Sequence, residues 1–220
     1  MTGVDVASAV AAVRARIAAA AERSSRPLEG VRLIAVSKTK PAELVRAAVA
    51  AGVRDIGENY VQQAAAKRAA VPEPTCWHLI GRLQRNKVAR ALDTFDVIHT
   101  VDTVALAEAV ARHADARGTR ARVLIEVNLG GETSKSGVSA DGVPALLARL
   151  RDLDLDVEGL MTIPPVGPPE SARPYFRRLR ALRDAAGLRE LSMGMSDDFE
   201  VAIEEGATMV RVGRAIFGDR

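Results

Sequence analysis

The chain has 220 residues, 48% hydrophobic and only 3% aromatic, and its 31 basic and 28 acidic residues leave a net charge of +3. Because the cations are interleaved with acids and alanines, the composition excludes the clustered basic surface with stacking rings that is typical of nucleic-acid binding. Cys76 is the only cysteine, which excludes an internal disulfide bond, and the length suits a single domain, 1–220, with little left for a second.

The first 24 residues predict an amphipathic helix. Asp5, Arg14 and Arg16 interrupt the apolar residues of this stretch, so it matches neither a signal peptide nor a membrane span. We therefore expect a cytoplasmic protein that begins with an extra helix and has no membrane partner.

After this helix, short β-branched runs alternate with stretches of helical periodicity. The predicted strands are 31–37, 53–57, 77–81, 97–101, 122–129, 157–163, 190–195 and 209–213. The predicted helices between them are 41–51, 59–70, 83–92, 103–117, 140–151, 170–186 and 197–205, with a short last turn at 214–218. Four glycines follow predicted helices, at positions where glycine commonly ends them: Gly52, Gly118, Gly187 and Gly206.

Eight successive βα units predict a parallel sheet. An open, doubly wound sheet is the competing architecture, but its first strand is usually followed by a glycine-rich dinucleotide turn, and AVSKTKP stands there instead. We therefore predict an α/β protein, a single (β/α)8 TIM barrel with an extra N-terminal helix.

The first predicted strand ends at Lys38, and the reactive groups of such barrels lie at the carboxyl ends of strands. An amine at the mouth of an apolar strand loses solvation, which favours its neutral, nucleophilic form. This form condenses with an aldehyde to give an imine. The alternative is a lysine whose ammonium simply reaches solvent. Lys40, two residues on, either raises the local positive potential or belongs to the surface.

Segment 191–218 has features of a phosphate-binding region. The loops after the seventh and eighth strands of a barrel commonly bind phosphate through backbone amides and a short helix. Ser196 offers a hydroxyl, and Gly213 allows the backbone to approach an anion closely. Against this reading, Ser196 would equally serve as an ordinary helix N-cap. Asp197 and Asp198 would repel phosphate unless their carboxylates point away.

Arg211 alternates with Val210 and Val212 in the last predicted strand. If these valines pack outward against helices, the guanidinium points into the barrel, where it needs a partner. That partner is either a carboxylate, such as Glu126 or Glu158, or the ring nitrogen of a cofactor. Such a nitrogen would have to stay an unprotonated acceptor, because arginine only donates, and the ring would then be a weak electron sink.

Further polar residues stand at predicted strand ends: Glu58, Asn59, His78, His99, Glu126, Asn128 and Thr162. They either line the mouth of the barrel or bond to one another in its upper interior, and both histidines are more typical of a structural role than a catalytic one. No spacing of histidine, cysteine and carboxylate residues in the sequence suggests a metal site.

Seven segments together resemble one family. They are AVSKTKP (35–41), GENYVQ (57–62), WHLIGRLQRNK (77–87), SKSG (134–137), GLMTIPP (159–165), SMGMSDDFEVAI (192–203) and VRVGRAIFG (210–218). In order and spacing they are similar to the pyridoxal phosphate homeostasis family, single-domain proteins related to the barrel domain of alanine racemase. The resemblance implies a barrel that binds pyridoxal 5′-phosphate and maintains intracellular vitamin B6 homeostasis.

The resemblance also implies which residues form the site. Lys38 of AVSKTKP would hold the cofactor as a Schiff base, and Arg211 would face its pyridine nitrogen. The phosphate would be bound by Ser196 and by the amides of Gly213 and Arg214, and the ring would be surrounded by Asn59, His78 and Met161. Many relatives carry threonine at the position of Arg214, so a hydroxyl contact to the phosphate would be lost here while the amide remains.

Three functions are compatible with these features. The resemblance favours a protein that is not an enzyme and that stores, buffers or delivers pyridoxal phosphate, with PLP-dependent apoenzymes and amino acids as further partners. Separately, we expect a monomer. The alternative is a weak PLP-dependent amino-acid racemase, which needs an acid/base group on each face of the cofactor. We expect no second domain to supply one, and Tyr175 lies in a predicted outer helix. A Schiff-base aldolase would carry its lysine later in the barrel.

Overall fold

The computed structural model describes residues 4–71 and 75–219. Within them, eight parallel strands close into one barrel in chain order. The strands are Arg32–Val36 (β1), Asp55–Glu58 (β2), Cys76–Leu79 (β3), Val97–Val101 (β4), Arg122–Glu126 (β5), Asp156–Met161 (β6), Glu190–Ser192 (β7) and Met209–Val212 (β8). The predicted (β/α)8 TIM barrel is confirmed, and the open sheet is excluded because β1 pairs with both β2 and β8.

The helices surround the barrel. They are Val6–Arg23 (α1), Ala42–Ala50 (α2), Val61–Ala69 (α3), Val88–Thr94 (α4), Val104–Asp115 (α5), Val143–Asp152 (α6), Arg173–Ala186 (α7), Phe199–Glu204 (α8) and Arg214–Phe217 (α9). The predicted N-terminal helix is present as α1, whose apolar face packs against α8, α9 and α2. None of the helices in the described part of the chain is long and apolar enough to cross a membrane.

Each of the four glycines predicted to end a helix has a positive φ. At Gly187, for example, φ is +64° and the backbone N–H donates to the carbonyl oxygens at the end of α7. Side chains other than glycine rarely adopt this left-handed conformation, so glycine ends the helix at little steric cost.

Side chains on each strand alternate between the helices and the barrel interior. Val210 and Val212 belong to the large core between sheet and helices, which directs Arg211 of the same strand inward, as predicted. By the same alternation, Val97, Leu124 and Met161 form a small apolar cluster inside the barrel, which we call the inner cluster. The interior therefore combines a few apolar side chains with buried polar ones.

Candidate functional site

A cavity of about 280 Å³, which we call the mouth cavity, opens at the carboxyl ends of the strands. Six of the eight predicted site residues line it: Lys38, Asn59, Ser196, Arg211, Gly213 and Arg214. The wall is completed by Val36, Ile80, Ile163, Met195 and Asp197. Barrel closure places β1 beside β8, so residues from the two ends of the sequence meet here.

Lys38 is half-buried, and no described residue bonds to its ammonium. It follows β1 in a turn that the N–H of Lys40 closes by donating to the carbonyl oxygen of Ser37 at 3.0 Å. Thr39 in this turn has a φ of +65°, which a β-branched residue rarely adopts and which costs about 1–3 kcal/mol. Such strain persists only where the surrounding structure holds the backbone.

A buried ion pair holds the residue before Lys38. Nζ of Lys67 on α3 lies 2.5 Å from Oε1 of Glu58 and donates to the carbonyl oxygen of Ser37 at 2.6 Å. The Ser37 hydroxyl donates to the same carboxylate oxygen at 2.6 Å. Glu58, predicted at a strand end, therefore anchors the β1 turn and does not line the mouth cavity. Sequence reasoning missed Lys67 because a single lysine on a helix carries no local signal of burial.

Asn59 offers an acceptor to a ligand. Its Oδ1 is buried and has no hydrogen-bond partner in the described part of the chain. Leaving a buried acceptor unpaired costs about 1–3 kcal/mol, so a ligand group that donates to it is favoured. The backbone of Asn59 packs closely against Gly81, where a Cβ would lie 2.5 Å from the backbone oxygen of Asn59.

The two aspartates after Ser196 do not present free carboxylates to an anion. Asp197 forms an ion pair with the guanidinium of Arg214. Asp198 turns back into its own loop, where Oδ1 accepts from the N–H of Met195 at 2.6 Å, and burial raises the pKa of this carboxyl. The hydroxyl of Ser196 and the first amides of α9, which have no intrahelical partner, are hydrogen-bond donors available to an anion, and their role in phosphate binding stays a prediction.

Arg211 is almost fully buried at the base of the mouth cavity. Nη1 donates to Oγ of Ser192 at 2.7 Å, and Nη2 donates to the carbonyl oxygen of Thr162 at 2.9 Å. Among the described residues neither Glu126 nor Glu158 pairs with it, so the carboxylate partner considered from the sequence is not found. Burial lowers the pKa of Arg211 to about 10, and the guanidinium stays charged at neutral pH.

His78 and Met161, expected around the ring, do not line the mouth cavity. Both are fully buried. Nδ1 of His78 lies 2.9 Å from Nε2 of His99, and Nε2 of His78 lies 2.9 Å from Oδ1 of Asp55, whereas Met161 packs in the inner cluster. Both lie inside the barrel, because inward side chains fill the interior of a barrel of this size. Their contact with a cofactor stays a prediction.

The structure brings Asp55, Cys76 and His78 together at the opposite, amino end of the barrel, each with one ligand atom within 4.8 Å of the others. The spacing of these residues did not indicate this cluster, because it depends on the pairing of β2 with β3. Burial raises the pKa of Cys76 to about 11, so its thiol is protonated at neutral pH and is a poor metal ligand.

Two further cavities adjoin the mouth cavity. One, of about 800 Å³, shares Asn59 and is lined by Tyr60, Arg82, Arg85 and Lys87 among others. The other, of about 400 Å³, shares Lys38 and includes Lys40, whose Nζ donates to the carbonyl oxygen of Asp219 at 2.6 Å. Neither Tyr60 nor Tyr175, the two tyrosines of the chain, lines the mouth cavity.

Comparisons with known proteins identify the family of the chain. The family described as alanine racemase, N-terminal domain, matches residues 9–220. A pyridoxal phosphate homeostasis protein of Pseudomonas aeruginosa is 44% identical over 98% of this chain and 96% of its own length. One from Aquifex aeolicus is 44% identical, covering 93% of this chain and 94% of its own.

A solved structure of PipY from Synechococcus elongatus, with PLP bound, aligns with a TM-score of 0.83. It is 40% identical and the match covers 94% of this chain and all of PipY. The two chains therefore share one fold over almost their whole length, and their 40% identity is higher than proteins that share only a fold usually have. The chain belongs to the pyridoxal phosphate homeostasis protein family.

Proposed function

We propose that the protein binds pyridoxal 5′-phosphate (PLP) as a Schiff base on Lys38 and serves PLP homeostasis rather than catalysis. The observation that carries this proposal is that Lys38, Ser196, Arg211 and Gly213 line one cavity. An unpaired amine, a hydroxyl beside backbone amides, and a buried guanidinium match the aldehyde, the phosphate and the ring nitrogen of PLP. The names of the curated relatives and the PLP-bound PipY support the same ligand.

The covalent step is reversible and needs no further reactant. The neutral Nζ of Lys38 adds to the aldehyde carbon, and both amine hydrogens leave with the aldehyde oxygen as one water molecule. Attack by water reverses the step and frees the cofactor. While bound, the aldehyde is withheld from other amines, which is what a buffer or carrier of PLP requires.

The chemistry of Arg211 favours a role in binding the cofactor rather than a role in catalysis. PLP supplies an electron sink when bound, and the sink is strong only if its ring nitrogen is protonated. Arg211 has only donors, and its pKa of about 10 keeps it charged at neutral pH, so a nitrogen that faces it accepts a hydrogen bond and stays unprotonated.

Trapping of the cofactor tests the attachment. We expect borohydride reduction of the PLP-loaded protein, followed by peptide mass spectrometry, to find the adduct on the peptide that contains Lys38. The adduct should disappear in Lys38→Ala and persist in the matched control Lys40→Ala, with the circular dichroism of both unchanged. An adduct on another of the five lysines contradicts the assignment.

Proton exchange tests the non-enzymatic role. A racemase needs a second acid/base group, and neither tyrosine lines the mouth cavity. In deuterated water, the α-proton of alanine and other amino acids should exchange no faster with the PLP-loaded protein than with free PLP. Faster exchange that is lost in Lys38→Ala would favour the racemase.

Cofactor transfer tests homeostasis. We expect the loaded protein to protect PLP from a small-amine trap and still to activate a PLP-dependent apoenzyme. Immediate loss of the PLP to the trap, at the rate of free PLP, would contradict a buffering role.

A further inference from the structure

Arg211 is one end of a continuous chain of hydrogen bonds across the barrel interior. It donates to Oγ of Ser192 at 2.7 Å, and this oxygen lies 2.9 Å from Nδ1 of His99. Nε2 of His99 lies 2.9 Å from Nδ1 of His78, and Nε2 of His78 lies 2.9 Å from Oδ1 of Asp55. We call these five residues, from β8, β7, β4, β3 and β2, the interior relay.

The interior relay connects two ends of the molecule. Arg211 lines the mouth cavity, whereas Asp55 is the first residue of β2, at the amino end of the barrel, and keeps 16% of its side chain exposed. Ser192, His78 and His99 are fully buried between them. Barrel interiors are usually filled by branched apolar side chains, and buried polar atoms are unfavourable unless they are bonded. A fully bonded polar path through this space therefore calls for an explanation other than packing.

The residues at the two ends of the interior relay determine the direction in which its hydrogen bonds donate, from Arg211 towards Asp55. A guanidinium only donates, and an ionised carboxylate only accepts. Because Ser192 accepts from Arg211, its hydroxyl hydrogen is available to Nδ1 of His99. His99 then donates from Nε2 to His78, and His78 donates from Nε2 to Asp55. Every bond of the interior relay is satisfied with both histidines neutral.

The opposite direction leaves a buried donor unsatisfied. It puts a hydrogen on Nδ1 of His99, so the Ser192 hydroxyl hydrogen has no acceptor within the interior relay. It also requires His78 to be protonated on both nitrogens beside Asp55. Burial, together with the neighbouring His78 and Arg211, holds the pKa of His99 well below its usual range, in agreement with a neutral ring.

We infer that Asp55, His78, His99 and Ser192 are positioning residues for Arg211: their one-way hydrogen bonds lock both histidines as Nε2–H tautomers and hold the guanidinium at the base of the mouth cavity. Asp55 thereby acts on the site from the other end of the barrel. The effect of the interior relay on a bound cofactor rests on the proposed function. The tautomers of His78 and His99 follow from the hydrogen bonds of the protein itself and do not depend on that function.

The tautomers are tested first, in cofactor-free protein. Long-range ¹H–¹⁵N correlation spectra at pH 7.5 distinguish Nε2–H, Nδ1–H and imidazolium rings. The chain has three histidines, so His113→Gln leaves only the two signals of His78 and His99. We expect Nε2–H for both His78 and His99. An Nδ1–H ring at either position, or an imidazolium at His78, would overturn the inference.

The effect of the interior relay on the mouth cavity is tested by substituting Asp55, at the amino end of the barrel. Asp55→Leu removes the last acceptor, so His78 should lose its single tautomer and the visible absorption band of bound PLP should shift. Asp55→Asn keeps an acceptor oxygen, so it should retain both the single tautomer of His78 and the original position of the PLP band. A lost tautomer with an unchanged band and unchanged PLP affinity would mean that the interior relay does not position Arg211.

A variant in the middle of the interior relay gives an independent test, which also applies if Asp55→Leu does not fold. Ser192→Ala removes the acceptor of Arg211 while Asp55 still directs His78. The PLP band should therefore shift although His78 remains Nε2–H. Thr94→Val is the matched control, because it removes a buried hydroxyl that bonds only within α4. A shift in the control as large as in Ser192→Ala would overturn the assignment.

These outcomes separate the two proposals. Failure of the Lys38 adduct with the expected tautomers refutes the cofactor attachment and leaves the interior relay standing. A Lys38 adduct with the wrong tautomers refutes the interior relay alone.

Discussion

Asp197 and Arg214 form an ion pair at the rim of the mouth cavity, joining the loop after β7 to the start of α9. Their side chains are 69% and 54% exposed, so solvent screens the pair and it adds little to stability. Its effect is on charge: Arg214 neutralises the carboxylate that lies next to the predicted phosphate donors.

Replacing that carboxylate should strengthen PLP binding. In Asp197→Asn the negative charge is lost while Arg214 is retained, so we expect the Kd for PLP to fall about 2- to 5-fold at low salt and less at high salt. Spectroscopic titration measures this change. Pyridoxal, which lacks the phosphate, is the control ligand and should bind equally to both proteins. Weaker PLP binding in the variant would mean that Asp197 is needed to orient Arg214.

Ser196→Ala should weaken PLP binding selectively. A hydrogen bond to a charged group contributes about 1.5–3 kcal/mol, which corresponds to about a 10- to 100-fold higher Kd for PLP. The affinity for pyridoxal should change little. Ser139→Ala, at an exposed serine outside the mouth cavity, is the matched variant. Equal losses for PLP and pyridoxal would assign Ser196 to the loop structure instead of the phosphate.

Lys67→Met should destabilise the fold strongly. It leaves Glu58 as an unpaired charge in the core, which costs about 3–5 kcal/mol in the free energy of unfolding. Urea denaturation measures this difference. The double variant Lys67→Met/Glu58→Leu should recover most of the loss, because two apolar side chains replace the pair. No recovery would show that the bonds to Ser37, rather than the charge pair, stabilise this turn.

Glu126 should make stability depend on pH. Burial, with the nearby Asp102, raises the pKa of Glu126 from 4.5 to about 7. Between these values the folded state holds a proton that the unfolded state has released, so this group stabilises the fold at low pH and loses that contribution as pH rises through 7. Glu126→Gln should therefore raise Tm, relative to wild type, by several degrees more at pH 8 than at pH 5.

The control for this prediction is Glu22→Gln, at an exposed carboxylate on α1. Its Tm difference from wild type should be the same at both pH values. An equal response of Glu126→Gln at pH 5 and pH 8, measured by calorimetry, would contradict the raised pKa.

Periodicity in the sequence predicted all eight strands in the right order, but not where each strand ends. The fifth was predicted as 122–129 and ends at Glu126, and the seventh was predicted as 190–195 and ends at Ser192. Apolar residues continue past both strand ends, with Val127 and Leu129 after β5 and Met193 after β7, because these side chains stay buried in the segments that follow the strands. Six predicted site residues line that mouth, while His78 and Met161 lie in the interior, a depth that alternation along one strand does not reveal.

The sequence by itself determined the βα order, the lysine at the end of the first strand, the inward direction of Arg211 and the family, because each of these is a local or linear property. Only the tertiary structure decided that Arg211 bonds to Ser192, that Lys67 meets Glu58 and that Asp197 pairs with Arg214. The first and third of these contacts join separate βα units, and the second joins β2 to the helix that follows it. The distances between these residues are set by barrel closure, strand register and the packing of helix on strand, which no single segment encodes.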